Sequence, residues 1–145
     1  MVDYTEVGEA ALRSAGWTEG RSVPTVAYEK AYASEGYSWT PEVAKFLGEF
    51  GGLRFGKLYG DFADHLNVEP DLAISCVVKE WVDDYAEFLA QDLFPAGMAF
   101  RGRIMTSMTS ERDFFGGSDD QIVSFGHGIR ELLGRLLMGT GERLR

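Results

Sequence analysis

The chain has 145 residues, 45% of them hydrophobic and 13% aromatic, enough to bury roughly 70% of its unfolded surface without a metal or disulfide staple. That composition excludes the disordered class, and the lone cysteine, Cys76, excludes an internal disulfide. A formal net charge of −9, from 14 Lys plus Arg against 23 Asp plus Glu, argues against direct nucleic-acid binding and against anionic membrane surfaces.

In chain order, Asp3 and Glu6 form a capping-box pattern that predicts a helix to about Ala15, with Val7, Ala11 and Leu12 inward and Gly16 ending it. A second helix is expected from near Pro24 to Gly36. Thr40 and Pro41 cap a third, on which Val43, Phe46, Leu47 and Phe50 share one face. Gly51 supplies its C-cap. Leu53 and Phe55 then alternate with polar or small neighbours at the period of a strand. Gly51-Gly52 therefore closes a helix and opens a strand, the reverse of a phosphate loop. It is a backbone device: one glycine takes a positive φ, and the other admits a close contact.

Leu66 and Val68 predict a short strand before Pro70. From Asp71 to about Ala90 a single helix is expected, burying Ile74, Val77, Val78, Trp81, Tyr85, Phe88 and Leu89. Strands follow after Pro95, in "RIMTSM", in "RDFFG" and in "QIVSF", with Gly116-Gly117 in the turn between the last two. A final helix runs from Gly128 to Met138, with Ile129, Leu132, Leu133, Leu136 and Leu137 inward and Gly139 at its end. The "GERLR" segment is expected to fray. Helices first, strands in the middle, one helix inserted and one last make an α+β fold, a mixed and largely antiparallel sheet flanked by helices. With neither repeat nor linker, one domain over residues 1–145 is expected.

The groups an enzyme needs do not converge. His65 and His127 are far apart in sequence, and no metal-ligand spacing joins them to Cys76. Cys76 reads as a small structural residue and His127 as a neutral surface residue. "GGSDDQ" lacks the ligand spacing of a calcium loop. No catalytic, cofactor-binding or metal-binding residues are assigned.

Five segments in order carry a family resemblance: "LRSAGWTEGR" at 12–21, "PEVAKFLGEFGGL" at 41–53, "VEPDLA" at 68–73, "DLFPAG" at 92–97 and "IRELLGRLLMG" at 129–139. Together they resemble the SUKH superfamily of bacterial proteins, most closely its third subfamily. The helix ending in Phe-Gly-Gly-Leu marks the wider superfamily. "AGWTEGR" and "LFPAG" are particular to the subfamily. The resemblance implies a mixed sheet flanked by helices and an immunity protein. Such a protein binds a cognate toxin, typically a nuclease or another effector of a polymorphic toxin system, and blocks it. It implies no catalytic residues. An interaction module without a toxin partner, also found in the superfamily, is the alternative. The sequence departs from the subfamily at "TSMTSERDFF", where an Asp–Gly turn is usual, and this leaves the strand register around 104–115 open.

Three stretches are candidates for docking. Glu80, Asp83, Asp84 and Glu87 lie opposite the apolar face of the 71–90 helix, like charges at three- and four-residue spacing. They suit a basic nuclease surface, or simply a solvated helix face. Tyr59, Asp61, Phe62 and Asp64 mix aromatics with carboxylates as hot spots do, unless the aromatics are core. In "ASEGYSW", Tyr37 and Trp39 either meet a partner or pack on the third helix. Trp17 and Trp81 are expected in the core. The absence of a signal-peptide pattern and of an 18-residue apolar run predicts a cytosolic protein.

Overall fold

The computed structural model describes residues 3–55, 66–77, 79–99, 104–118 and 121–145. Expectations for Tyr59, Asp61, Phe62 and Asp64 lie outside the described residues.

Three helices lead: α1 (Tyr4–Ser14), α2 (Val26–Ser34) and α3 (Pro41–Phe50). The Asp3 carboxylate caps α1 by accepting from the Thr5 and Glu6 N–H groups, which removes two of the four orphan donors at that end. Gly8, Ala11 and Leu12 are buried, whereas Val7 is half-buried. Helix α2 starts two residues beyond Pro24. Helix α3 starts where its signals place it: the Thr40 hydroxyl accepts from the Val43 N–H, and Val43, Phe46, Leu47 and Phe50 are buried.

At the end of α3 the two glycines divide the expected roles, but in the other order. Gly51 has an ordinary φ of −57, and it is Gly52 that takes the left-handed conformation, at φ +81. A Cβ on Gly51 would lie 2.4 Å from the Leu47 carbonyl oxygen and 2.6 Å from the Tyr28 ring. Gly51 is thus the close contact and Gly52 the turn.

Among the described residues, seven strands form one sheet in chain order: β1 (Arg54–Phe55), β2 (Leu66–Asn67), β3 (Phe94–Ala99), β4 (Ile104–Met108), β5 (Asp113–Ser118), β6 (Gln121–His127) and β7 (Glu142–Arg143). Every one of these pairings is antiparallel, so the sheet is a meander rather than mixed. Helices α4 (Pro70–Cys76) and α5 (Lys79–Leu89) are inserted between β2 and β3, and α6 (Gly128–Met138) between β6 and β7. The fold is α+β.

Four expectations need correction. The helix expected over 71–90 is two helices, because Val77 is extended (φ −127, ψ 124) and restarts the helical phase. In α5, Val82 and Tyr85 are therefore buried, while Trp81 and Phe88 are turned outward. Gly116 and Gly117 sit inside β5 rather than in a turn. A Cβ on Gly117 would meet the Tyr85 ring at 2.3 Å, so that glycine lets α5 lie down on the sheet. The segment expected to fray forms edge strand β7, with Val123 opposite Arg143. The register at 104–115 is settled by pairing Met108 with Phe114, and Arg112 takes the left-handed turn position at φ +63.

The sheet is covered on both faces. Phe114 packs on Phe46 of α3, with ring centroids 5.4 Å apart. Gly117, three residues on, lies under Tyr85 of α5. Strand alternation puts these contacts on opposite faces. Covered on both sides, β3 is buried along its whole length and β4 at all but Ile104. Helix α6 lies against α1 at a crossing without side chains: a Cβ on Gly8 would strike the Arg130 carbonyl, and one on Gly134 the Tyr4 carbonyl. Trp17 is buried, as expected.

Gly51→Ala should cost about 1–3 kcal/mol, the usual range for overpacking. Gly52→Ala, which meets only the Tyr28 hydroxyl at 3.6 Å, should cost about 1–2 kcal/mol from its backbone conformation alone. Urea unfolding of the two variants checks this, and Gly52→Asn should recover part of the loss where Gly51→Asn does not.

Candidate functional site

Helix α5 is anchored by Val82 and Tyr85, with Ala86 and Leu89 half-buried beside them. That spacing of three, four and seven residues fixes its inner face. Glu80, Asp83, Asp84 and Glu87 then share the outer face, and all four are exposed. The structure thus brings these four candidates together. Two of them are held by cations. The Lys79 ammonium donates to both oxygens of Asp83, at 2.9 and 3.1 Å. The Arg145 guanidinium donates to Asp84 at 2.6 Å. It also lies over the Phe88 ring, 5.0 Å from its centroid.

Trp81 is 45% exposed and Phe88 47% exposed on the shoulder of this face next to Asp84. Sequence reasoning assigned both to the core, because an unbroken helix from 71 carries their phase inward. The bend at Val77 is what moves them out. Large exposed aromatics are enriched at interface centres, with charged groups around them at the rim.

Tyr37, also expected at a docking surface, is only 9% exposed. Its ring tilts against Tyr32 with centroids 5.6 Å apart. Trp39 packs edge-on against the same Tyr32 at 5.2 Å, so both aromatics pack against α2. Lys79 covers the outer face of Tyr37, 5.5 Å from its centroid. Burial first, and then the carboxylates of Asp83, Glu35 and Glu80, push the Tyr37 phenol up to about 12. Tyr32, buried and donating to the Pro95 carbonyl, is also raised, mainly by its burial.

Between Tyr37 and α5 runs a groove of about 140 Å³, lined by the 36–38 turn, by Lys79, Val82, Asp83 and Ala86, and by residues 92–94. Sequence reasoning missed it, since Asp92 follows α5 in sequence with no periodicity to attach it to Tyr37. Elsewhere, the exposed His127 ring nitrogen lies 2.9 Å from an Asp113 oxygen. Among the described residues no group of three or more His, Cys, Asp and Glu side chains is placed to hold a metal ion. No helix among them is long and apolar enough to cross a membrane.

Residues 4–139 match the family described as SUKH-3 immunity protein. Neither the curated proteins nor the solved structures provide a match.

The raised phenol of Tyr37 has a signed consequence. A folded-state value above the ordinary value of about 10 favours folding below that pH, and the benefit is lost as pH rises towards about 12. Tyr32 acts in the same direction. Stability should therefore fall steeply above about pH 10, and Tyr37→Phe should flatten part of that fall. Urea midpoints across this range, read beside phenolate absorbance, check it.

Proposed function

The chain belongs to the SUKH-3 immunity protein family, and from that premise we propose that it binds and neutralises a cognate bacterial toxin domain by stoichiometric protein–protein contact. The match over residues 4–139 carries the reading. The acidic outer face of α5 is the surface that meets the toxin, with Trp81 and Phe88 supplying apolar area at its edge.

Charge supports this placement. Glu80, Asp83 and Glu87 are like-charged neighbours at three- and four-residue spacing, an arrangement that costs an isolated helix stability. With a formal net charge of −9 on the chain, this face draws a basic partner and accelerates encounter at low salt. A nuclease, whose own substrate is a polyanion, presents such a basic surface, and covering it blocks the enzyme without any chemistry by the inhibitor. The partner is a protein, and neither nucleic acid nor membrane is bound directly.

Co-expression with the toxin domain encoded beside this chain tests the reading. The wild type should protect the cell and co-purify with the toxin, in a complex that weakens as salt rises. Reversing Glu80, Asp83, Asp84 and Glu87 to Lys should reduce affinity by about tenfold or more. The Glu80→Lys, Glu87→Lys pair, which touches neither ion pair on this face, should melt within a few degrees of wild type. Full protection by the quadruple variant would remove α5 from the interface. A chain that protects against no neighbouring toxin would favour the regulatory interaction module.

A further inference from the structure

The chain after α6 wraps the edge of the sheet. Gly139 ends the helix in the left-handed conformation, and Arg135 fixes the turn twice: its carbonyl accepts from the Thr140 N–H at 2.9 Å, and its guanidinium donates to the Thr140 carbonyl at 3.0 Å. Gly141 then presses on β6, where a Cβ would lie 2.4 Å from Val123 and 2.7 Å from Phe125. Val123 pairs with Gly116 and shares its face, the one opposite Gly117 and α5. Arg145 finishes on the other face. Its guanidinium donates to Asp84 at 2.6 Å and lies over the rings of Phe88 and Tyr85, 5.0 and 6.0 Å from their centroids. Residues 141–145 thus run from one face of the sheet, round its edge, to α5.

Little holds this strap between its ends. Strand β7 is two residues long against seven in β6, and both of its residues are exposed. Beside it the Leu144 N–H donates to the Ile122 carbonyl at 2.8 Å, and the Ile122 N–H to the Arg145 carbonyl at 3.3 Å. Fixing backbone costs conformational entropy at every residue, and so short a ladder returns little of it. The Arg145 side chain closes the balance. Its contacts are an ion pair to a largely exposed aspartate and a cation over a half-exposed ring, each a small contribution. A segment held in this way opens as a unit, at far lower cost than global unfolding.

The latch sits on groups that matter elsewhere. Asp84 and Phe88 belong to the surface that the immunity role gives to the toxin, and Trp81 lies on the same side of α5, one turn before Asp84. Arg145 and a basic partner compete for these groups. We infer that residues 141–145 form a latched strap: in the free protein Arg145 covers the Asp84–Phe88 part of the docking face, and a partner that takes this part releases the strap from the edge of β6. The release rests on the immunity role above; the latch does not.

Hydrogen exchange in the full chain tests the latch. It is followed by NMR at the Leu144 and Ile122 amides, with the Val68 amide, bonded to Leu53, as the reference. Raising sodium chloride from about 0.01 to about 1 M shortens the screening length from about 30 to about 3 Å. Leu144 and Ile122 should then exchange about threefold faster or more, with Val68 unchanged. Arg145→Gln and Asp84→Asn should each give a similar acceleration at low salt and remove the salt effect, and the double variant should add nothing to either. Exchange at both amides that is the same in Arg145→Gln as in the wild type would overturn the latch. With the toxin domain bound, exchange at Leu144 and Ile122 should rise by a similar factor. Exchange that is unchanged or slower in the complex would mean that the strap stays closed there, and would overturn the release. A chain that binds and protects against no toxin would remove the immunity role and the release together, while the salt series and Arg145→Gln would still decide the latch.

Discussion

The fold depends on how the C-terminal end of α3 is closed. A helix end leaves its last carbonyls without partners, and burying them unpaired is costly. Here the planar guanidinium of Arg21 donates to the carbonyl oxygens of Glu49 and Gly51, at 2.7 and 3.0 Å. A fork with fixed donor geometry suits two adjacent carbonyls in a way that a lysine cannot. The Gly52 N–H donates to the Val68 carbonyl, and the Val68 N–H returns a bond to Leu53. Trp17 stacks over Phe50 beside it, with centroids 6.2 Å apart. One junction therefore joins the connection from α1, the end of α3, the first strand and the entry to α4. It also explains the resemblance physically: "AGWTEGR", "GEFGGL" and "VEPDLA" are distant in sequence but meet at this point.

From that junction the chain must reach both faces of the sheet. Helix α3 stays on the face of Phe114, and α5 covers the face of Gly117. The bend at Val77 allows this, because one rigid helix from 71 to 90 would keep a single buried stripe. Two short helices present two stripes at different angles. The consequence for function is direct. Restarting the phase at Lys79 puts Val82 and Tyr85 against the sheet and leaves four carboxylates and two aromatics on one outer surface.

Legibility in the sequence followed the range of the forces involved. Helices α3 and α6 were readable because caps, periodicity and ends all lie within one segment. Thr40, Pro41 and the Val43–Phe50 stripe need no distant partner to be recognised, nor does Gly139 at φ +67. The acidic face was readable for the same reason. What was hidden depends on other parts of the chain. Gly116-Gly117 carries a turn's composition, but Tyr85 from α5 and Phe125 from β6 fill the space where their side chains would be. Val77 continues the apolar period of the sequence, and only its extended backbone in the fold interrupts it. Residues 141–145 look like a frayed end until β6 offers its edge, where the Leu144 N–H donates to the Ile122 carbonyl and the Ile122 N–H to that of Arg145. The groove belongs to this class, since Tyr37 and Asp92 are brought together only by the whole fold.

The acidic face is not bare, and this bears on how it can bind. A carboxylate carried naked into an interface loses its hydration, and attraction to a new partner does not always repay that loss. Asp83 and Asp84 avoid starting from that state, for Lys79 and Arg145 already hold them. A docking cation can exchange with a resident one, so that the number of ion pairs is conserved while the released lysine or arginine regains water. Exposed pairs of this kind add little to folding stability, which leaves them cheap to break. On the proposed role, Glu80 and Glu87 would act at longer range, steering the encounter, while the paired aspartates would set where the contact closes. A fully neutralised face would lose the steering, and an unpaired one would meet the full cost of desolvation. The arrangement of α5, with two carboxylates held and two open among the described residues, lies between those limits.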